Sequence, residues 1–407
     1  MTAEQYLESI MPTRDEVDAF LEPDIDPQRL SRHGGVSYDP ELGWIRVAAV
    51  RQDGVDDSKT FYSYEPDHAR KVINGAGQPG RMHTFGDSFT HCDQVNDGET
   101  WQEYLAAHLR EPVRNYGVGG YSVYQAYLRM KRVNAARFMP YVLLNIYDHD
   151  HYRNLFNWWA INYGRRVECG FTCPHLRVNV AADRIEERPH LLNRPADVYK
   201  LCDRDWVIET FRDDPLLPIA LARRHPEFAT QQTVERVAAG FGIPLDRVAG
   251  QTPGEAIEAL AAEAALCATR HVVKLVESFV QRTNKKLMIL LSNCAPYTAD
   301  FLAGRPRWDQ PFVDFLRGRG YPVLDMREAF AAEYATCRAE PTEYLRRYYN
   351  GHHSPAGNYF TAWAIKDAVA QWLEPKPSPY APHDAAALVE DDGWKKANQA
   401  WHPAAEL

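Results

Sequence analysis

Five short apolar runs, each four to eight residues long and followed by turn chemistry, constrain this chain more than any other feature. They are Arg81–Phe85, Pro112–Tyr116, Tyr141–Tyr147, Lys286–Ser292 and Pro322–Met326. Apolar runs of that length with turn chemistry after them read as buried strands. Amphipathic stretches separate them: Thr100–Leu109, Tyr121–Phe138, Glu255–Asn284 and Pro311–Arg319, with Ala356–Leu373 closing the series. Strands that alternate with helices imply parallel β-α-β units joined by right-handed crossovers. The expected fold class is therefore α/β, a three-layer α/β/α domain around a doubly wound, five-stranded parallel sheet of flavodoxin-like type. Its functional crevice should lie at the carboxyl ends of the strands.

One crossover is too long for this scheme. From Asp148 to about Arg270 the chain exceeds the few residues such a connection needs, so this stretch must carry structure of its own. Helical patterns around Asp205–Thr210 and Pro218–Arg224 and an Ala-rich segment at Glu255–Ala268 make it mainly helical. Because it starts at the end of the third strand, it is expected to overhang the crevice as a lid. The resulting division is an N-terminal extension (1–80) packed on the flank, an α/β catalytic domain (81–150 and 284–374), the insertion (151–283) and a Pro-rich C-terminal tail (375–407).

Composition narrows the function classes. Among 407 residues, 46 Lys+Arg stand against 55 Asp+Glu, a formal charge of −9 with no basic block. Such a chain is a poor partner for nucleic acid or an anionic membrane. No apolar run approaches the roughly 18 residues of a membrane span. The first twenty residues carry five acids and no apolar h-region, so no secretory signal is expected. Seven scattered cysteines fit reduced thiols in a cytoplasm better than a disulfide framework.

The sharpest local signal is Thr84–Cys92, TFGDSFTHC, where a strand ends in Gly86-Asp87-Ser88 and turns into a helix. A serine there presents its hydroxyl and its own amide to the crevice, which suits a nucleophile. Asp and Ser also begin helices for purely structural reasons, so the tripeptide alone decides nothing. The second strand ends in Asn115-Tyr116-Gly117-Val118-Gly119-Gly120, where glycines allow close approach of a ligand. The last helix is preceded by Asn350-Gly351-His352-His353-Ser354-Pro355-Ala356-Gly357.

These three blocks, in this order and at these predicted strand ends, resemble the SGNH (GDSL-type) hydrolases. GDSFTHCDQVNDGETWQEYLAAHL followed by VRNYGVGGYSVYQAYL is especially similar to members related to sugar O-acyl esterases and transferases. The resemblance spans residues 81–150 and about 284–374 and leaves the insertion uncovered. It implies Ser88 as nucleophile and an oxyanion hole built from the amides of Ser88 and Gly120. The family's histidine stands five residues before a helix glycine, which selects His352 from Gly357; the Asp-x-x-His spacing alone would select His353. Two positions depart from the pattern. The family's acid falls on Asn350, which can hold the ring but carries no charge, so Asp148 and Asp150 become alternative acids. The family's oxyanion asparagine falls on His149, whose Nε2–H could still donate. Asn145, inside the strand, is read as structural.

Asp148-His149-Asp150-His151 offers two histidines on one strand face, short of the three or four ligands a zinc site needs, so no metal is expected. Cys169, Cys173 and His175 lack a second ligand pair and read as lid residues. Cys92 reads as a small buried residue. Phe156, Trp158, Trp159 and Tyr163, with Tyr121 and Tyr124 beside the proposed hole, could stack on a sugar or simply form core. The expected function is a cofactor-free serine esterase or O-acyltransferase acting on a small-molecule acyl ester such as an acetylated carbohydrate. The alternatives are a ligand-binding protein on the same fold with altered catalysis, or a biosynthetic enzyme using the fold for different chemistry.

Overall fold

The computed structural model describes residues 1–21, 35–164 and 172–381. Five strands, β1 (Met82–Phe85), β2 (Val113–Asn115), β3 (Tyr141–Tyr147), β4 (Lys286–Ser292) and β5 (Val323–Asp325), form one sheet in the order β5-β4-β3-β1-β2. Every neighbouring pair is parallel. The chain moves outward from β1 to β2 and returns to the other side of β1 as β3. The order therefore reverses between β1 and β3, and a crevice opens at their carboxyl ends.

Six helices bear on the site: α1 (Ser88–His91), α2 (Trp101–Leu109), α3 (Val123–Ala136), α4 (Asp150–Arg153), α5 (Pro253–Arg282) and α6 (Pro355–Trp372). Strand pleating sorts the core into two layers. On β3, Tyr141 and Leu143 join Trp101, Leu105 and Ile365, whereas Val142, Leu144 and Ile146 join Val123, Val272 and Val276. On β4, Met288 and Leu290 face the first cluster, and Leu287, Ile289 and Leu291 the second. Thus α2 and α6 cover one face of the sheet and α3 and α5 the other. This is the three-layer α/β/α arrangement.

Local chemistry starts these helices where the motifs require. Ser122 and Gln125 form a reciprocal cap on α3, and Thr252 and Glu255 do the same on α5 behind Pro253. Ser354 caps α6 by accepting from the Gly357 amide at 3.2 Å, which makes the sequence just after His352–His353 a fixed helix start.

The long stretch between β3 and β4 does two things. Its last helix is α5, 30 residues long, a layer helix against α3 and β4. The expected overhanging segment is thus confined to what precedes α5. That part is mainly helical, as expected, with helices Arg204–Phe211, Leu216–Arg224 and Gln231–Phe241, and it also carries an antiparallel hairpin of His175–Asn179 with Arg184–Arg188. Before β1, two further hairpins pair Val36–Asp39 with Gly43–Arg46 and Ala49–Gln52 with Lys59–Tyr62. Cys169 and the Pro-rich tail beyond residue 381 lie outside the described residues. Among the described residues, no helix is long and apolar enough to cross a membrane.

Candidate active site

Ser88 is the first residue of α1, immediately after the turn that leaves β1. Asp87 caps this helix, its Oδ1 accepting from the Phe89 amide at 2.9 Å. Gly86 stands at φ +155°, and a Cβ there would lie 2.1 Å from Thr90 Oγ1 and 2.6 Å from Asn145 O. Only glycine fits this turn, and the turn aims Ser88 toward the crevice. Asn145 supports it from behind through its carbonyl, while its side-chain oxygen accepts from Ser292 Oγ at 2.8 Å.

Ser88 Oγ lies 2.9 Å from His352 Nε2. The ring's other nitrogen, Nδ1, lies 2.8 Å from Gln94 Oε1, which also takes the His352 backbone N–H at 2.8 Å. A backbone N–H can only donate, so the Gln94 atom facing it is the carbonyl oxygen. An acceptor beside Nδ1 requires a proton on Nδ1. In the neutral ring this leaves Nε2 as an acceptor for the Ser88 hydroxyl, whose one proton has a second acceptor in Asp87 Oδ2 at 3.2 Å. Burial holds His352 below its ordinary pKa; Asp93 and Asp87 oppose this, and Arg153 and Arg46 reinforce it. The imidazole is neutral at pH 7, the state a general base requires.

His353 faces the other way. It is buried against Phe89 and Tyr349, at ring separations of 5.0 and 4.9 Å, and burial pushes its pKa down to about 3. Between adjacent residues of an extended segment the side chains alternate, so only one of the pair can face Ser88.

The expected acids require correction. The Asn350 amide donates to Asp53 O at 3.4 Å, and the His352 Nδ1 position is taken by Gln94 Oε1 instead. Asp148 is buried in a structural cluster, accepting from Arg327 Nη2 at 2.6 Å, Asn293 Nδ2 at 2.9 Å and the Cys294 amide at 2.9 Å. Asp150 accepts from Arg153 Nη1 at 2.8 Å and the Tyr147 amide at 3.1 Å. Burial, and then Asp87, raise its pKa well above the carboxylate range. None of the three touches the histidine. Gln94 occupies that position, and it follows Ser88 by six residues. The polar run His91-Cys92-Asp93-Gln94 was the available signal, but nothing in it distinguishes an orienting amide from a turn residue.

On the opposite side of Ser88, Asp87 Oδ2 lies 3.2 Å from Ser88 Oγ and accepts from Arg153 Nη1 at 3.0 Å. Arg153, also missed in the sequence, is 9% exposed at its side chain and lies over the rings of Tyr147 and Trp159. Gly120 has φ +85°, and a Cβ there would meet Trp159 Cη2 at 3.0 Å. An aromatic from the insertion therefore covers the glycine loop directly. Among the described residues, neither the Ser88 nor the Gly120 amide donates to a protein acceptor. His149 precedes α4, its ring 5.2 Å from Tyr147, which stacks on Phe89 at 4.2 Å. Burial first, then Arg153 and Arg223, lower its pKa to about 4.

The remaining candidates are packing groups. His151 is buried, with Nδ1 2.9 Å from Thr269 Oγ1, and is not paired with His149 toward a common ligand. Among the described residues no group of three His, Cys, Asp or Glu converges as a metal site. Cys92 is buried beside Gln102, and burial pushes its thiol up to about 12. Cys173 is buried with Sγ 3.1 Å from Phe156 O, and His175 Nδ1 lies 3.3 Å from Cys173 O. Tyr121 donates to Trp44 O at 2.6 Å and Tyr124 to Glu187 at 2.8 Å. Trp158 packs on Phe211, whereas Phe156 and Tyr163 pack on Trp159.

The fold and the site together define an α/β protein with a serine–histidine pair at the switch point of its sheet. No family model matches the chain, and no curated protein matches it. Among solved structures it is similar to one described as "a putative lipolytic protein of G-D-S-L family from Desulfitobacterium hafniense DCB-2". The likeness has 12% identity and a TM-score of 0.31, covering 71% of this chain and 99% of the other. At that distance the functional reading rests on the site's own chemistry.

Proposed function

We propose that this protein is a serine-dependent enzyme of acyl esters, transferring the acyl group of a small O-acylated molecule to water or to a hydroxyl acceptor. An acetyl-like ester of a carbohydrate or another small metabolite is the substrate class. The observation that carries this reading is the 2.9 Å contact of Ser88 Oγ with Nε2 of a buried His352 whose Nδ1 lies 2.8 Å from Gln94 Oε1.

In this mechanism Ser88 Oγ bonds to the acyl carbon while its proton passes to His352 Nε2, and the carbonyl π pair moves onto oxygen. The unpartnered amides of Ser88 and Gly120 receive that oxyanion, and neutral His149 supplies a third N–H. The C–O bond to the leaving alcohol then breaks, and the alcohol departs with the proton held on His352. Water or an acceptor hydroxyl repeats the sequence on the acyl-enzyme, its proton passing to His352 and then to Ser88. Asp87 keeps the turn rigid and is held by Arg153.

Fluorophosphonate labelling tests the reading, because only an activated serine reacts. One phosphonyl adduct on Ser88, together with turnover of an activated acetyl ester, is expected. The Ser88→Ala protein should lose both while remaining folded. An unlabelled wild type with no esterase turnover would favour a ligand-binding protein on this fold instead.

A further inference from the structure

The glycine loop after β2 runs directly against the nucleophile turn, the Val118 amide donating to Gly86 O at 3.1 Å. Within that loop, the peptide joining Gly119 to Gly120 carries the N–H assigned to the oxyanion. It is flanked by glycine on both sides, and glycine populates either sign of φ at little cost. The loop's own sequence therefore does little to keep this peptide from turning over. The restraint comes from the N-terminal hairpin. Trp44, on the strand Gly43–Arg46, is fully buried, and its Nε1–H donates to Gly119 O at 3.1 Å. A trans peptide carries its C=O and N–H on opposite sides. The bond from Trp44 thus draws the Gly119 carbonyl toward the hairpin and turns the Gly120 N–H away from it. Among the described residues that N–H has no protein acceptor. Trp44 is itself held, because its own carbonyl accepts from the hydroxyl of Tyr121, the residue after Gly120, at 2.6 Å. The fit around the two glycines is close. A Cβ on Gly120 would lie 3.3 Å from Trp44 Cζ2, and one on Gly119 would lie 1.9 Å from Arg46 Nη2.

Resting on the acyl-transfer reading above, we propose that Trp44 is a positioning residue of the oxyanion hole. Its indole N–H fixes the Gly119–Gly120 peptide with the Gly120 amide turned into the crevice, so the donor is in place before the negative oxygen forms. A hydrogen bond accepted by the carbonyl also polarises the peptide, which makes the Gly120 N–H a stronger donor. A segment outside the α/β domain in this way completes the hole.

The test uses the full-length chain and two variants. Trp44→Phe keeps an aromatic ring and removes the N–H. Replacement of Trp44 by benzothienylalanine puts sulfur in place of the N–H at nearly unchanged shape. The readouts are kcat and KM for an activated acetyl ester, and the affinity of a trifluoromethyl ketone, which forms an anionic tetrahedral adduct on Ser88. The oxyanion exists only in the transition state and in that adduct. In both variants kcat and ketone affinity should each fall on the order of tenfold or more, a share of the 10²–10³ that one lost donor costs. KM should stay within about twofold. If Trp44 only packs, the benzothienyl protein matches wild type and Trp44→Phe alone suffers, which overturns the proposal. A rise in KM with kcat unchanged overturns it as well, because it reports ground-state binding. If Trp44→Phe fails to fold, the benzothienyl protein decides alone. An active wild type whose kcat and ketone affinity survive both changes overturns the role of Trp44 and leaves the acyl-transfer reading standing. A wild type with neither turnover nor adduct overturns the acyl-transfer reading itself.

Discussion

The two halves of the candidate site are built in opposite ways. The Ser88 half is one contiguous segment: strand β1, a glycine that admits no side chain, a capping aspartate and the serine, all within Met82–Ser88. The His352 half is assembled from three distant parts of the chain, namely the hairpin at Asp53 and Tyr62, the loop after α1 at Gln94, and the two-residue hairpin that presents the histidine. A contiguous turn depends on backbone geometry and tolerates little change. A composite support depends on hydrogen bonds between side chains and can be altered by degrees. Substitutions should therefore act sharply in the first half and in graded fashion in the second.

The largest effects should come from the reacting pair. Ser88→Ala or His352→Ala is expected to lower turnover of an activated acyl ester by on the order of 10⁴-fold or more, and the double variant should be little worse than either single one. Steady-state kinetics checks this, and additive losses would break the pairing. Gly86→Ala should come next. A Cβ 2.6 Å from a backbone carbonyl cannot be accommodated without moving β3 or the turn, so a fall in Tm and loss of labelling are expected together. A folded, fully active Gly86→Ala protein would contradict the rigidity assigned to this half.

His353→Ala sharpens the comparison, because it separates packing from chemistry. Removing a buried ring in contact with Phe89 and Tyr349 should cost about 2–4 kcal/mol in denaturant unfolding, with far less loss of turnover than His352→Ala. The smallest effect should be that of Asn350→Asp. Its side chain points to Asp53 rather than to the ring, so activity should stay within about threefold of wild type, the range of substitutions remote from a critical contact. A large gain would return the triad acid to position 350.

The pH profile belongs to the same comparison. His352 has a folded-state pKa below the ordinary 6.5, so the base remains neutral as pH falls to 6.5, and turnover should decline only on the acid side of that value. Stability follows the same sign. His83, His91, His175 and His353 are buried and held to about 3. Below pH 6.5 the unfolded chain binds protons that these groups refuse in the fold, so stability should drop progressively from 6.5 toward 3. Thermal unfolding across that window checks it.

The contiguous half is also the half that could be read in the sequence. Apolar runs set the five strands, and Gly-Asp-Ser at a strand end pointed to Ser88 only together with the blocks Asn115–Gly120 and Asn350–Gly357, through the resemblance that the three carry jointly. The choice of His352 over His353 came from the spacing to Gly357 that the resemblance implies. Gln94 escaped because its role depends on contact with a residue 258 positions away, and no local pattern marks a glutamine as an acceptor for an imidazole. Arg153 escaped for the same reason, since its partner Asp87 lies 66 positions earlier. The hairpin His175–Asn179/Arg184–Arg188 was missed because its second strand, RIEER, has no apolar face to give a period of two.

The central claim is that Gln94 leaves His352 with its proton on Nδ1 and a bare Nε2 facing Ser88. Nitrogen-detected NMR of ¹⁵N-histidine-labelled protein at pH 7.5, assigned by difference with His352→Gln, reads that proton directly. A neutral His352 with protonated Nδ1 and unprotonated Nε2 is expected in wild type, and a loss of that preference in Gln94→Ala. A wild-type ring protonated on Nε2, or doubly protonated at this pH, would contradict it.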